Sequence, residues 1–323
     1  MSHETLGIGL AGLGRHGIRY AQHLLAGDVP RARLVAVHRR RHEEGRAWAG
    51  VRGLVYHDSL DALAGDPAVD IVVAALPPSR HPGAVAAAAA ARKAVLVEKP
   101  LAATAAEAER AVEAARRAGI PAMVANTLRY NSVIRALAGA LPRAGELQLV
   151  AINQRLERTG RPWLDEPADG GPVLNTGVHG IDVLRFLTGT EVASAQAFGR
   201  RVHHRVTHDL FAATLRMTPG ELIATLDNSR AGAGRSGRIE VAGSERQLVG
   251  DFVHGFLFEI EGHARRPLPV ADPVPTVREV LRDFVAALAA GRPSPIPLEE
   301  GVAAVRSCAL IADAIARSEE NRP

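Results

Sequence analysis

Only two residues of this chain are lysines, Lys93 and Lys99; the rest of its 39 lysines plus arginines are arginine. A partly buried lysine can share or surrender its proton, whereas arginine keeps its charge. Lys99 follows the apolar run Val95-Leu96-Val97 and its terminal Glu98, and precedes Pro100. That places a Glu-Lys pair at the carboxyl end of a buried strand, where open parallel sheets bind ligands. An ammonium there can donate to a substrate hydroxyl and stabilise a developing alkoxide. Lys93 reads as a solvated residue ahead of the same strand. A partner for Lys99 lies in Gly170-Gly171-Pro172-Val173-Leu174-Asn175-Thr176-Gly177-Val178-His179-Gly180-Ile181-Asp182. Gly-Gly-Pro marks a helix start, and the spacing puts Asn175, His179 and Asp182 on one helix face. Near a helix N-terminus histidine is biased towards the neutral form that a general base needs. The same segment would also serve as an N-terminal cap around a core histidine.

Gly12-Leu13-Gly14-Arg15-His16-Gly17 is a G-x-G-x-x-G turn with a strand before it and a helix after it. Its glycines would permit a tight turn, approach of backbone to a pyrophosphate, and close packing of helix on strand. A dinucleotide held at that helix N-terminus can bring its nicotinamide to Lys99. A glycine-rich turn without a ligand is the plainer alternative. The second strand runs into His38-Arg39-Arg40-Arg41-His42, with no acid before Glu43. A carboxylate there would accept from the 2′-hydroxyl of NAD; Arg39 and Arg40 instead suit the 2′-phosphate of NADP. NADP is therefore preferred over NAD, unless these arginines are solvated loop charge.

The elements that must position these residues follow two grammars. Nearly continuous apolar runs at 6–11, 34–38, 71–74, 94–98 and 122–125 read as parallel strands covered on both faces. They alternate with helical stretches at 17–26, 84–91 and 105–118, which predicts an α/β, doubly wound parallel sheet over residues 1–125. Residues 126–323 predict an α+β domain. It holds a helix at 132–141, a strand at 147–157, a helix at 171–187, consecutive strands from 192 to 261, and helices at 277–290 and 299–317. A hairpin joins 210–217 to 221–227 through Thr218-Pro219-Gly220.

Composition narrows the classes. The chain has 323 residues, 47% hydrophobic and 23% charged, with a net charge of +4. Its longest purely apolar run, 84–91, falls far short of the ~20 residues that span a bilayer. The pI is about 9.8, yet the arginines are dispersed among acids and form no basic stripe with aromatics, so neither nucleic acid nor membrane is an expected partner. One cysteine, Cys308, allows no internal disulfide and reads as a small buried hydrophobe, consistent with a cytoplasmic protein. His203, His204 and His208 have only Asp209 to complete a ligand set, so no metal is expected. No G-x-S-x-G elbow supports a serine hydrolase.

Taken together, the motifs resemble the Gfo/Idh/MocA oxidoreductase family over nearly the whole chain. They include Gly12 to Gly17, Leu76-Pro77-Pro78-Ser79-Arg80-His81, Glu98-Lys99-Pro100, Asn126 to Tyr130, and Gly170 to Arg185. The resemblance implies a Rossmann domain followed by a large, open, mostly antiparallel sheet whose exposed face builds a homodimer or homotetramer. It implies hydride transfer between nicotinamide C4 and a secondary alcohol or ketone of a sugar, sugar derivative or cyclitol. It adds Leu76, Pro77, His81 and Asn126 to the cofactor site, and Arg129, Arg161 and Trp163 to the substrate or nicotinamide region. It also makes Lys99, Asn175 and His179 the catalytic group. Asn175 departs from the Asp more common in the family: an amide can orient a hydroxyl but cannot take a proton, which leaves His179 as base. Specificity would rest on loops around 155–170 and 228–236. Two other readings stay open: a cofactor-sensing regulatory protein, and a glycosidase that uses tightly held NAD as a transient oxidant.

Overall fold

A computed structural model of the chain describes residues 5–321, except 159, 161, 168 and 170 and the side chains of 162 and 163. The chain forms two compact units, Met1–Thr127 with Pro275–Val302 and Leu128–Val274 with Ala303–Pro323. The single division expected at 125/126 does not include this return of residues 275–302 to the first unit.

In the first unit, β1 (Leu6–Ala11), β2 (Ala32–His38), β3 (Val55–His57), β4 (Ile71–Ala74), β5 (Ala94–Glu98) and β6 (Ala122–Ala125) form one sheet. Their order is β3-β2-β1-β4-β5-β6, and every neighbouring pair is parallel. Helices α1 (Arg15–Leu25), α2 (His42–Gly50), α3 (Leu60–Gly65), α4 (His81–Ala90) and α5 (Ala105–Ala118) connect the strands. All of β4 and all but the first residue of β1 and β5 are buried, so the apolar runs are continuous because both faces are covered. A reciprocal pair starts α5: Thr104 Oγ1 accepts from the Glu107 N–H, and Glu107 accepts from the Thr104 N–H at 3.1 Å. The helix ends at Gly119, whose φ of 64° is costly for other residues. Four of the five expected strands have the expected bounds, and β2 starts two residues earlier. Elements α2, β3 and α3 were not expected, being too short and irregular to leave a clear hydrophobic period.

The second unit opens with α6 (Ser132–Ala140), capped by Asn131, whose Oδ1 accepts from the Val133 and Ile134 N–H groups. It continues through β7 (Leu147–Glu157), a π-turn at Val173–Gly177, α7 (Val178–Thr188), β8 (Glu191–Arg200), β9 (Leu210–Thr218), β10 (Ile223–Gly232), β11 (Ser236–Gly243), β12 (Gln247–Asp251), β13 (Phe256–Glu261) and β14 (Ala264–Pro267). These strands form an eight-stranded sheet, β14-β13-β12-β11-β7-β10-β9-β8, antiparallel except at the β7–β10 pair. The expected hairpin is β9–β10. Later, α8 (Thr276–Ala289) packs on α1 and β6 in the first unit, and α9 (Leu298–Glu320) belongs partly to each unit.

One face of the large sheet carries the core. Ile152, Leu226 and Ile239 from the strands join Leu137, Ile181 and Ile311 from helices. Strand β9 alternates buried and exposed residues along most of its length, as a sheet covered on one side requires. The other face carries a depression of about 340 Å³ lined by Asn153, Arg238, Phe256, Phe258 and Arg265, among others. Among the described residues, no helix is long and apolar enough to cross a membrane.

Candidate active site

Each glycine of the N-terminal turn has its own steric reason. Gly12 has φ of 102°, and a Cβ there would lie 2.2 Å from the Ala75 carbonyl oxygen. A Cβ at Gly17 would lie 1.8 Å from the Gly12 oxygen, so only glycine lets α1 approach β1 this closely. At Gly14 the corresponding position meets nothing within 4 Å. Gly14 is also the N-cap of α1, without a side-chain cap, so the first helical N–H groups lack intrahelical acceptors. Open space at a helix N-terminus fits a pyrophosphate. Leu13 is buried beneath the turn, while Arg15 and His16 lie at the surface. Partial desolvation lowers the His16 pKa, and nearby Lys99 and arginines oppose the raising effect of Glu98.

At the end of β2, His38 is buried and its Nδ1 donates to the His57 oxygen at 3.1 Å. Burial lowers its pKa despite that bond. Arg39 is half-buried and paired with Glu44, which also binds Arg41 at 3.1 Å. Arg40 is exposed and, among the described residues, makes no ion pair. Leu76 is half-buried and Pro77 exposed. His81 is fully buried, with Nε2 accepting from the Leu76 N–H at 3.3 Å. That assigns its proton to Nδ1, which donates to the Pro100 oxygen at 2.7 Å. His81 thereby ties the Leu76 and Glu-Lys-Pro loops together.

Glu98 is buried, and its Oε1 accepts from the Tyr20 hydroxyl of α1 at 2.9 Å. Burial, together with the Glu98 charge, pushes the Tyr20 hydroxyl well above its usual pKa. The other Glu98 oxygen accepts from the Lys99 N–H at 3.2 Å, leaving the Lys99 side chain half-buried at the end of β5. Asn126 is buried just beyond β6, its N–H bonded to the Val124 oxygen.

In the second unit, the expected uninterrupted helix from 171 to 187 needs correction. Residues Val173–Gly177 form a π-turn, closed by the Val178 N–H donating to the Val173 oxygen, before α7 begins. The wider turn breaks the regular four-residue face assumed for Asn175 and His179. Both side chains are half-buried. Arg230 bridges to the π-turn: its Nε donates to Thr176 Oγ1 at 2.8 Å and its NH2 to Asn175 Oδ1 at 3.2 Å. One turn beyond His179, Asp182 is 2% exposed and binds Arg129 through contacts of 2.6 and 3.0 Å. The Arg129 guanidinium also lies 5.3 Å from the Phe186 ring centroid. Arg161 lies outside the described residues, as does the side chain of Trp163.

Arg230, Tyr20 and Glu44 join the site without a motif in the sequence to mark them. Tyr20 follows Gly17 by three residues and was open to discovery as an α1 side chain beneath the turn; Arg230 was one arginine among many. Among the described residues, no group of three or more His, Cys, Asp or Glu side chains is placed to hold a metal. The buried carboxylate of Asp209 instead accepts from the N–H groups of Val202, His203 and His204. Burial raises its pKa, but these bonds reverse the shift and hold it below the usual value. Cys308 is buried, its Sγ 3.4 Å from the Val173 oxygen.

Comparison with known proteins matches residues 6–126 to the "Oxidoreductase family, NAD-binding Rossmann fold" and residues 139–249 to the "GFO/IDH/MocA C-terminal domain". The chain is 27% identical to the inositol 2-dehydrogenase of Rhizobium meliloti (strain 1021), over 97% of each chain. It is 30% identical to the myo-inositol 2-dehydrogenase of Thermotoga maritima, over 76% of this chain and 75% of that one. The solved UDP-N-acetylglucosamine 3-dehydrogenase of Acidithiobacillus ferrooxidans shares the fold with a TM-score of 0.86 at 22% identity, over 97% of this chain and 98% of that one. The glycine turn, its open helix N-terminus and these matches show that the chain is an NAD(P)-binding oxidoreductase of the Gfo/Idh/MocA family.

Proposed function

We propose that the protein interconverts a secondary alcohol and the corresponding ketone on a cyclitol, sugar or sugar derivative. The observation that carries this reading is Lys99, held at the end of β5 beside a buried glutamate anchored by Tyr20, in a chain related to inositol dehydrogenases. When bound, NAD(P) would supply the hydride acceptor for the alcohol carbon, or the hydride donor for the ketone. In oxidation, neutral His179 takes the hydroxyl proton while the Lys99 ammonium donates to the same oxygen and stabilises its developing charge. Asn175 orients that oxygen. Reduction reverses these steps: His179 returns the proton as the ketone becomes an alcohol.

The turn from Gly12 to Gly17, with Leu13, Arg15 and His16 between the glycines, receives the pyrophosphate. Leu76, Pro77, Glu98, Lys99 and Asn126 line the nicotinamide side, while buried His81 serves it by fixing two loops. Arg39 and Arg40 favour NADP over NAD, with the 2′-phosphate displacing Glu44 from Arg39. Arg129, Arg161 and Trp163 complete the substrate end; for Arg129 this means acting from its Asp182 pair. Domain roles follow the two compact units: Met1–Thr127 with Pro275–Val302 for dinucleotide, and Leu128–Val274 with Ala303–Pro323 for substrate and assembly. The uncovered face of the large sheet, with its aromatic depression, suits a second copy in a homodimer or homotetramer. The single, buried cysteine supports a cytoplasmic location.

The test is a panel of inositols, sugars and sugar nucleotides followed by nicotinamide absorbance with each cofactor. Turnover of a cyclitol or sugar with lower KM for NADPH than for NADH is expected. No turnover across the panel would reject the activity, and a strong NADH preference would reject the role of Arg39 and Arg40.

A further inference from the structure

Strand β10 carries one extra residue opposite β7: Ser229 pairs with Arg155, but Gly232 pairs with Glu157. Arg230 lies within this bulge yet keeps the register of β9, its backbone N–H donating to the Asp209 oxygen at 2.9 Å. Arg230 thus stays on the face of Ala224, Leu226 and Asn228, whose side chains alternate towards the core, and there its side chain meets the π-turn. Its guanidinium contacts two consecutive residues there, Asn175 and the buried Thr176. Guanidinium has donors and no acceptor, so the Asn175 atom facing it must be the carbonyl oxygen. The Nδ2 group is therefore on the far side of the amide.

We propose that Arg230 is a positioning residue of the reaction: it locks the amide of Asn175 so that Nδ2 donates to the substrate oxygen. This rests on the polyol-oxidoreductase reading above. It also gives the amide at position 175 a physical reason. A carboxylate beside Arg230 would be held ionised and would present only acceptors, whereas the clamped amide presents a donor at every working pH.

The test compares steady-state kinetics of wild type, Arg230→Lys, Arg230→Met, Asn175→Ala and the Asn175→Ala/Arg230→Met double variant on the best substrate. Arg230→Met should lower kcat about tenfold, the scale of one oriented hydrogen bond, with KM for the nicotinamide cofactor unchanged. Arg230→Lys should recover to within about threefold of wild type, since one donor is restored. In the Asn175→Ala background, Arg230→Met should cost almost nothing further, because the two residues act as one unit. Full multiplication of the two losses would assign Arg230 a separate structural role and overturn the proposal, as would wild-type kcat in Arg230→Met. A second readout needs no turnover: the side-chain amide resonance of Asn175, identified by its loss in Asn175→Ala, should move in Arg230→Met and be restored towards its place in Arg230→Lys. An unmoved resonance overturns the clamp even if no substrate is found, whereas a moved resonance with no turnover faults only the activity assignment.

Discussion

The two halves of this protein position chemistry by different means. In the first unit, backbone does most of the work: Gly12 and Gly17 let chain segments touch, Gly14 leaves open space, and α1 supplies N–H groups. Six residues contiguous in sequence suffice for that turn, although Glu98 and the Leu76 loop beside it are held by the Tyr20 and His81 side chains. In the second unit, side chains from distant segments do it: Arg129 reaches Asp182, and Arg230 reaches Asn175 and Thr176 across more than fifty residues. Backbone sites are specified locally and tolerate divergence elsewhere, whereas side-chain sites depend on strand register and can be retuned by single substitutions.

The largest test of that contrast is Arg129→Met. Removing one partner of a pair with side-chain exposures of 12% and 3% takes the guanidinium away from a buried carboxylate, so denaturant unfolding should show a loss of about 3–5 kcal/mol. A loss below about 1 kcal/mol would mean that the second unit does not depend on this pair as described. Next come Lys99→Ala and His179→Ala, each expected to lower kcat by about a hundredfold or more. Lys99→Arg should keep the charge and still lose most of the rate, because the broad planar guanidinium cannot place its donor where the compact ammonium does. Near-normal turnover in these variants would remove both residues from the chemistry.

Gly14→Ala probes the backbone site of the first unit. The added methyl meets nothing in the protein, so the melting temperature should hold while the Kd for NADPH, read by fluorescence titration, rises about tenfold through obstructed pyrophosphate contact. An unchanged Kd would put the pyrophosphate elsewhere. The smallest effect concerns Asp165, whose pKa falls to about 2 because the Arg205, Thr207 and Val206 N–H groups donate to it. Its folded pKa is depressed, so its stabilisation is present above the unfolded value near 3.8 and fades as pH falls towards 2. Asp165→Asn should therefore be slightly less stable than wild type at pH 6, and the difference should shrink between pH 4 and 2. A constant difference across that range would contradict the bonding described.

What could be read in advance follows the same division. The parallel strands were legible because burial on both faces writes continuous apolar runs, and the glycine turn because its steric demands fall on adjacent positions. Glu98 and Lys99 were legible by their place at a strand end, but the Tyr20 bond that anchors Glu98 was not. The π-turn was hidden because Val173 to Gly177 has the composition of an ordinary helix start. Arg230 was hidden because its partners lie more than fifty residues away in sequence, and one arginine stands out little in an arginine-rich chain. The return of residues 275–302 to the first unit is a tertiary fact that no local periodicity encodes.

The most direct measurement uses a polyol deuterated at the carbon to be oxidised, incubated with the protein and oxidised NADP or NAD. The account predicts deuterium at nicotinamide C4 in the reduced cofactor, with transfer nearly abolished in His179→Ala. Substrate turnover with deuterium retained on the sugar, or lost to water without reduction of the cofactor, would contradict it.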